Sequence, residues 1–411
     1  MNLAIVSCVY DPEPVVSAQT SAQLARSFAS NGRRVLVIAP FPNRPGGKLF
    51  AGYKRALFAR ENPQPNLTVL RCFSFFSRRS TLPSRLLENV SFGLASALAL
   101  LLAPRPDMVY VNAWPLFAQA LVALACKLRR VPYALRVQDV YPESLAAQDR
   151  AGSRWMGWLR ALDRLVAKHG AALLPISERF ARIYVEDRGV APDRIHVVPN
   201  WADEPRLART PDGRVRFRHS IPPDAFVVVY GGNVGVAAGL ENAIEAFHLM
   251  TRDPRVYFLI AGDGSRWEAC RDLARASGNP RVLFHHPWPA DETYAVLEAA
   301  DLCLLPTRGE QSLASLPSKL IGYFWAARPV LAVAHPESDA ARIVVESGAG
   351  WVTAGDASAL ADQIRALAAL PNAELRRRGE AGRAYARKHF SPSNNLSRLE
   401  SILLAPAGAA P

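Results

Sequence analysis

Leu304–Ala332 reads LLPTRGEQSLASLPSKLIGYFWAARPVLA. An apolar run, Asp301–Leu305, breaks into a polar loop. Pro317-Ser318-Lys319 then opens a helical stretch that stops before Pro329, and a second apolar run, Val330–Val333, follows. Strand, loop, helix and strand in so short a span make one step of a parallel sheet. Serine at a helix start can accept from its free backbone N–H groups. The same turn offers a positive dipole end and a lysine to a diphosphate. Glu310, in the loop, is free to bind a sugar or ribose hydroxyl. The plain alternative is an ordinary helix start that carries one lysine.

The same alternation extends in both directions. Ala225–Tyr230, Val256–Ala261 and Val282–His285 are further strand candidates before this stretch, with helical segments between them. Toward the N-terminus, Ala4–Val9, Val35–Ala39, Leu67–Cys72, Met108–Val111, Tyr133–Val137 and Ala171–Ile176 repeat the pattern. Ser17–Ala29 is helical in period and Asn31-Gly32 stops it. Asn200–Pro223, rich in Pro and Arg, suits a linker between two such units. The expected fold class is therefore α/β, with two Rossmann-like doubly wound domains. Ligands of such sheets lie at the carboxyl ends of strands, so two units facing each other create a cleft. A last helical stretch, Asn394–Leu404, precedes a tail, APAGAAP, expected to fray.

Two glycine-rich turns follow strands in the second unit. Tyr230 runs into Gly231-Gly232-Asn233-Val234-Gly235, where a bare backbone can approach a phosphate, although a tight turn needs the same glycines. Ala261 runs into Gly262-Asp263-Gly264, where Asp263 is placed to cap the next helix. In the first unit, the loop DPEPVVSAQT lacks the dinucleotide fingerprint. Arg136-Val-Gln-Asp139-Val-Tyr-Pro142-Glu143 follows a strand, so Asp139 and Glu143 can accept a proton or hold a hydroxyl, or simply face solvent.

The 411 residues exceed one ordinary core. Five scattered cysteines, odd in number and without a C-x-x-C pair, exclude a disulfide framework and a zinc cluster, and fit core thiols in a reducing compartment. The opening MNLAIVSCVY has no basic start and meets Asp11 before an apolar core is complete, unlike a signal peptide. Val90–Ala103 falls short of the roughly 20 residues of a membrane span and reads as a buried or membrane-grazing helix. The formal charge of +13 raises a polyanion partner, but no nucleic-acid module is present. The bases cluster between Lys48 and Arg85, including Arg71, Arg78 and Arg79, interleaved with Phe50, Tyr53, Leu57, Phe58 and Phe73. That mixture suits an anionic bilayer, to which each base adds about 1 kcal/mol. A solvated charged face around core aromatics is the equal alternative.

Seven segments taken together resemble the family-4 retaining glycosyltransferases of the exopolysaccharide, O-antigen and colanic-acid branch. They are PFPNRPGG (40–47), RVQDVYPES (136–144), PNWAD (199–203), YGGNVG (230–235), AGDG (261–264), LPSKLIGY (316–323) and ARPVLA (327–332). The resemblance implies a GT-B fold: an acceptor domain over 1–203, a nucleotide-sugar domain over 204–390, and a helix in 391–411 returning to the first domain. Gly232, Asn233, Gly235, Gly262, Ser318 and Lys319 would hold the donor diphosphate, and Glu310 would face the donor sugar or ribose. Asp139 would act at the acceptor side, together with Pro14, Asn43, Gln138, Glu143 and Asn200. No cofactor and no metal are expected.

Departures accompany the match. A glutamate pair carried by many relatives falls here on Ala314 and Gly322, the glycine of the G-x-P turn is Ala327, and a lysine beside Gly239 is Ala238. The implied activity is transfer of a hexosyl or N-acetylhexosaminyl group from a UDP-sugar to a lipid-linked saccharide, with retention. It places the protein in the cytoplasm, peripheral to the inner membrane through 48–85. A nucleotide-sugar epimerase or hydrolase on the same fold, and a catalytically inactive nucleotide-sugar-binding subunit, are the alternatives.

Overall fold

The structure, a computed structural model, describes residues 1–44, 46–77, 81–112, 115–141, 143, 153–205, 213–308, 312–313 and 316–405. Glu310, Pro142, Arg78, Arg79 and the tail from residue 406 lie outside the described residues. Two compact units form, Met1–Ala202 with Pro392–Pro411, and Asp203–Ser391.

In the first unit the strands are β1 (Asn2–Ser7), β2 (Arg34–Pro40), β3 (Phe58–Gln64), β4 (Leu67–Cys72), β5 (Met108–Asn112), β6 (Tyr133–Val137) and β7 (Ala172–Pro175). The helices are α1 (Val16–Ser30), α2 (Leu82–Leu102), α3 (Leu116–Arg129), α4 (Ser153–His169) and α5 (Glu178–Glu186). The sheet order is β3-β4-β2-β1-β5-β6-β7, parallel except for β3 at the edge. The order reverses between β1 and β5, and this is where a doubly wound sheet opens a crevice. Leu24 and Phe28 of α1 pack on one face with Trp201, and Leu399 and Leu403 of the C-terminal helix complete that core.

On the other face α2 and α3 pack closely. A methyl group on Gly93 would lie 2.8 Å from the Ala118 Cα, so the glycine lets the two backbones approach. A capping box between Thr81 and Ser84 starts α2. Pro83–Leu102 is long and apolar enough to span a bilayer, yet Phe92, Ala99 and Leu100 are buried within the unit. The helix is thus buried along one side and open along the other. The segment 48–85 is also mixed. Arg71 is buried, ion-paired to Glu61 at 2.9 Å and stacked over Tyr10 and Tyr53, so it is a structural base rather than a surface one.

The second unit contains α6 (Arg214–Arg218), β8 (Phe226–Asn233), α7 (Leu240–Leu249), β9 (Val256–Asp263), α8 (Trp267–Ser277), β10 (Val282–His285), α9 (Thr293–Glu298) and β11 (Leu302–Pro306). After these come α10 (Lys319–Trp325), β12 (Val330–Val333), α11 (Asp339–Glu346), β13 (Gly350–Thr353), α12 (Ala357–Ala368) and α13 (Asn372–His389), and α14 (Pro392–Leu404) follows in the first unit. The sheet, β10-β9-β8-β11-β12-β13, is wholly parallel and reverses between β8 and β11. Part of the expected linker is docked: Arg216 of α6 donates to the Ala299 carbonyl at 3.0 Å and pairs with Asp301 at 2.7 Å. All five cysteines are free and buried, and burial pushes the thiols of Cys72, Cys126 and Cys303 up to about 12.

Helix α10 ends in a left-handed turn. Arg328 N–H bonds the Tyr323 carbonyl at 3.1 Å and Ala327 N–H the Phe324 carbonyl at 3.0 Å, a Schellman arrangement with Ala327 at φ 49°. The resemblance implies glycine at this position, and a Cβ there strains the backbone. Replacing Ala327 with Gly is expected to raise the urea midpoint of the second unit, a gain of about 0.5–1 kcal/mol after the entropy that glycine adds to the unfolded chain.

Candidate functional site

The carboxyl ends of β8 and β11 meet at the switch point of the second sheet. Helix α10 brings Lys319 and Tyr323, one turn apart, against the end of β8. Gly231 N–H donates to the Tyr323 hydroxyl at 3.1 Å, and the hydroxyl proton can go to the Leu304 carbonyl at 3.3 Å or that of Gly231 at 3.4 Å. Tyr323 thereby ties β8, β11 and α10 together. Above it, the Lys319 stem crosses Gly232, where a methyl group would lie 2.1 Å from Cε and 3.2 Å from Nζ. Gly232 also holds φ 143°, a conformation that side chains disfavour.

The Lys319 ammonium lies 5.2 Å from the Tyr230 ring centroid and has no carboxylate or hydrogen-bond partner among the described residues. The residue as a whole is half-buried, and desolvation of its ammonium lowers it to about 8. A desolvated, unpaired cation beside bare backbone is what an anion needs.

The neighbouring turns are close-packed. A methyl group on Gly262 would strike the Gly232 carbonyl at 1.9 Å, and one on Gly264 would meet the Asn233 Oδ1 at 2.6 Å. Gly235 is extended, and its glycine serves space: a methyl group would lie 2.9 Å from the Asn233 Nδ2. Two expectations are corrected. Ser318 stands at the N-cap of α10 but makes no capping bond and is exposed. Asp263 accepts from its neighbour Gly264 N–H at 2.7 Å, while Arg266 occupies the N-cap of α8.

Other residues at this site were not marked by their sequence. Trp288 packs where a side chain on Gly231 would be, with 3.1 Å to its Cη2, and its buried indole N–H lacks a partner among the described residues. Arg308 lays its stem against Gly239, beside Ala238, and its guanidinium reaches Glu241 at 3.4 Å. Glu241 also pairs with Arg266 at 2.8 Å and borders a cavity of about 570 Å³ at the carboxyl ends of β11, β12 and β13.

In the first unit, Asp139 follows β6. The residue is exposed overall and has no partner among the described residues, while desolvation of its carboxyl raises it to about 7. The residues around it are engaged with one another. Asn200 donates to Gln138 at 2.8 Å, Gln138 to Asn112 at 3.1 Å, and Asn112 to Ser21 at 2.7 Å. Arg136, fully buried, donates to the Val198 carbonyl and to Asn200 at 3.0 Å. Gln138 and Asn200 therefore brace strand ends rather than present amides to an acceptor.

Glu143 is also committed. It takes two bonds from Arg188 at 2.6 and 2.7 Å and one from Arg160 at 3.0 Å, and Arg188 in turn holds buried Asp163 at 2.8 Å. Pro14 is exposed, whereas Asn43 is buried. The loop beside Asn43 is pinned by Glu13, whose buried carboxylate accepts N–H bonds from Asn43 and Arg44, both at 2.8 Å. Burial pushes Glu13 upward, opposed by those bonds. Among the described residues no three His, Cys, Asp or Glu side chains converge as a metal site would require.

Residues 17–201 match the family described as Glycosyl transferase 4-like domain, and residues 225–369 the family Glycosyl transferases group 1. A putative colanic acid biosynthesis glycosyl transferase WcaI of Escherichia coli (strain K12) is 26% identical over 328 residues, 78% of this chain and 80% of its own. The probable glycosyltransferase WbjE of Pseudomonas aeruginosa is 26% identical over 66% of this chain and 68% of its own. Anabaena Alr3699/HepE, crystallised in complex with UDP, superposes with a TM-score of 0.70 at 15% identity, covering 98% of this chain and 99% of that one.

Restoring a side chain at Gly232 must displace Lys319. Gly232→Ala is expected to weaken nucleoside diphosphate binding by about tenfold, an effect of ~1.4 kcal/mol, when measured by calorimetry. Because the charged ammonium is the binding form, diphosphate affinity of the unaltered protein should fall as pH rises past about 8, and Lys319→Ala should abolish that pH dependence. A flat affinity from pH 7 to 10 in the unaltered protein contradicts the assignment.

Proposed function

The chain belongs to the GT-B glycosyltransferases, its first half a glycosyl transferase 4-like domain and its second a group 1 domain, and from that premise we propose a specific reaction. A hexosyl or N-acetylhexosaminyl group passes from a UDP-sugar to a lipid-linked saccharide, with retention and without a metal. The reaction takes place at the inner face of a bacterial membrane, in surface-polysaccharide synthesis. Similarity to a protein named for colanic acid biosynthesis supports the pathway class, and a structural neighbour crystallised with UDP supports the donor.

The observation that carries the reading is Lys319: an ammonium with no counter-ion among the described residues, held over a side-chain-free strand end at the switch point. Breaking the bond from the anomeric carbon to the phosphate oxygen leaves an oxocarbenium-like sugar and a diphosphate with added negative charge. Cations fixed in advance are most effective where charge develops. Lys319 supplies one, and Arg308, shared with Glu241, supplies a second beside Ala238, where the resemblance implies a lysine.

The acceptor hydroxyl attacks the face the diphosphate is leaving, and its proton passes to a diphosphate oxygen. Asp139, unpaired and ionised above about pH 7, orients that hydroxyl.

Asp139→Asn is expected to lower kcat by about a hundredfold or more while UDP affinity stays the same. In the unaltered enzyme the acid limb of kcat/KM should lie near pH 7. Incubation with UDP-, GDP- and dTDP-sugars, with and without membrane lipid, tests the class of activity. Nucleotide release without lipid identifies a hydrolase, and binding without turnover identifies a non-catalytic subunit. An inverted linkage in the product, read by NMR, would remove the retaining mechanism.

A further inference from the structure

We propose that the outer face of α2, α3 and α4 is a docking surface for an anionic phospholipid bilayer. The expectation of a membrane contact at 48–85 thereby moves to a different part of the first unit. The three helices form one layer: α2 packs on α3 through Gly93 and Ala118, and α3 on α4 through Phe117 and Trp158, with ring centroids 5.8 Å apart.

Their inner sides are buried against the sheet, but the outer sides carry apolar stripes at helical spacing. Leu94, Leu98 and Leu102 line α2, and Leu102 is 75% exposed. Leu124 and Leu128, one turn apart, continue the stripe on α3. On α4, Trp155 and Trp158 are 68% and 50% exposed and meet edge to face at 6.2 Å. Single exposed leucines are ordinary on a protein surface, whereas exposed apolar side chains on each of three neighbouring helices are not. Indole rings settle at the interface between hydrocarbon and headgroups.

Charge selects the occupant. The three helices hold seven Arg or Lys against two acids, Glu88 and Asp163. Glu88 is paired with Arg44, and Asp163 is buried beneath Arg188 and Tyr184, so these two acids do not offset the bases at the surface; of the seven bases, Arg160 is paired with Glu143. Between α3 and α4 lies a cavity of about 790 Å³ lined by Ala123, Leu124, Leu162, Leu165 and Val166. Lys127, Arg130, His169 and Arg194 also line it, and no carboxylate among the described residues does. It sits at the amino ends of β6 and β7, the opposite end from the carboxyl-end crevices, so it is distinct from the sites described above. An apolar trough flanked by cations fits a lipid chain with its phosphate outside. A second protein copy would bring the same excess of bases over acids to both sides, which disfavours self-association.

The inference shares with the proposed reaction only its membrane side and does not depend on the donor. The test is flotation of the full chain with vesicles of phosphatidylglycerol and phosphatidylethanolamine, against phosphatidylcholine alone. Binding is expected to require the anionic lipid and to weaken in high salt. Leu124→Gln with Leu128→Gln, both exposed positions, should weaken partitioning by about tenfold or more. Lys54→Ala with Arg55→Ala, in the 48–85 segment, should leave it nearly intact.

Vesicles of brominated lipid should quench the tryptophan emission of the unaltered protein, and Trp155→Phe with Trp158→Phe should remove most of that quenching. This readout requires no change to the leucines. Loss of flotation in the Lys54/Arg55 variant but not in the leucine variant overturns the proposal in favour of 48–85. So does a concentration-dependent dimer, by sedimentation, that the leucine changes dissociate. UDP binding measured on the same samples separates the two readings: its absence removes the donor assignment and leaves the flotation result standing.

Discussion

The end of β8 and the start of α10 exclude each other's alternatives. Any side chain at residue 232 would overlap the Lys319 stem, and any long side chain at 319 needs residue 232 to be bare. The constraint spreads through the surrounding turns. Gly262 must be bare because the Gly232 carbonyl occupies its side-chain space, and Gly264 because Val234 and Asn233 do. Tyr323 then fixes the height of α10 by bonding to β8 and β11 together. What looks like a loose glycine-rich loop is a set of interlocked positions, and a cation is held at its centre without a counter-ion among the described residues.

This is why the site was only partly legible in the sequence. Glycines at strand ends and a lysine at a helix start are marked by their residue types, so Gly232, Gly262 and Lys319 could be read directly. Tyr230, Tyr323 and Trp288 resemble core aromatics, and nothing local shows that a hydroxyl spans two strands or that an indole N–H is left unpaired. The misread residues failed for the opposite reason. Glu143, Gln138 and Asn200 looked available because their partners are remote in the chain: Arg188 for the first, Asn112 and each other for the amides. Asp139 differs from them only in lacking such a partner among the described residues.

The fold was more legible because burial on both faces of a parallel sheet makes strands continuous apolar runs. Leu67–Cys72, Tyr133–Val137, Val282–His285 and Val330–Val333 coincide with strands residue for residue. The elements that escaped lack this signature. β3, FARENPQ, is a half-exposed antiparallel edge strand, joined to β4 through Asn66 in a left-handed conformation. β13, GWVT, is a four-residue edge strand. The arginine-rich linker segment was polar enough to suggest free chain, yet Arg216 spends its charge on Asp301 and on carbonyls of the second unit.

The same accounting changes the meaning of the net charge. A formal +13 suggests a uniformly basic protein, but several of the bases are internal. Arg71, Arg136 and Arg188 are nearly or wholly buried and satisfy carboxylates, carbonyls and amides in the first unit. Charge used in this way cannot steer a partner. Part of what remains lies on α2, α3 and α4, and part around Lys319, where no acid lies within reach among the described residues. These places ask for anions of different form, one spread over a surface beside apolar stripes and one compact against bare backbone. A glycosyl transfer to a lipid-borne acceptor presents both, because the leaving group is a diphosphate and the acceptor arrives on a membrane. The loss of the glutamate pair at residues 314 and 322 shifts the demand in the same direction. In the proposed reaction, with fewer carboxylates to hold sugar hydroxyls, a larger share of transition-state stabilisation would fall on the leaving diphosphate, and with it on Lys319.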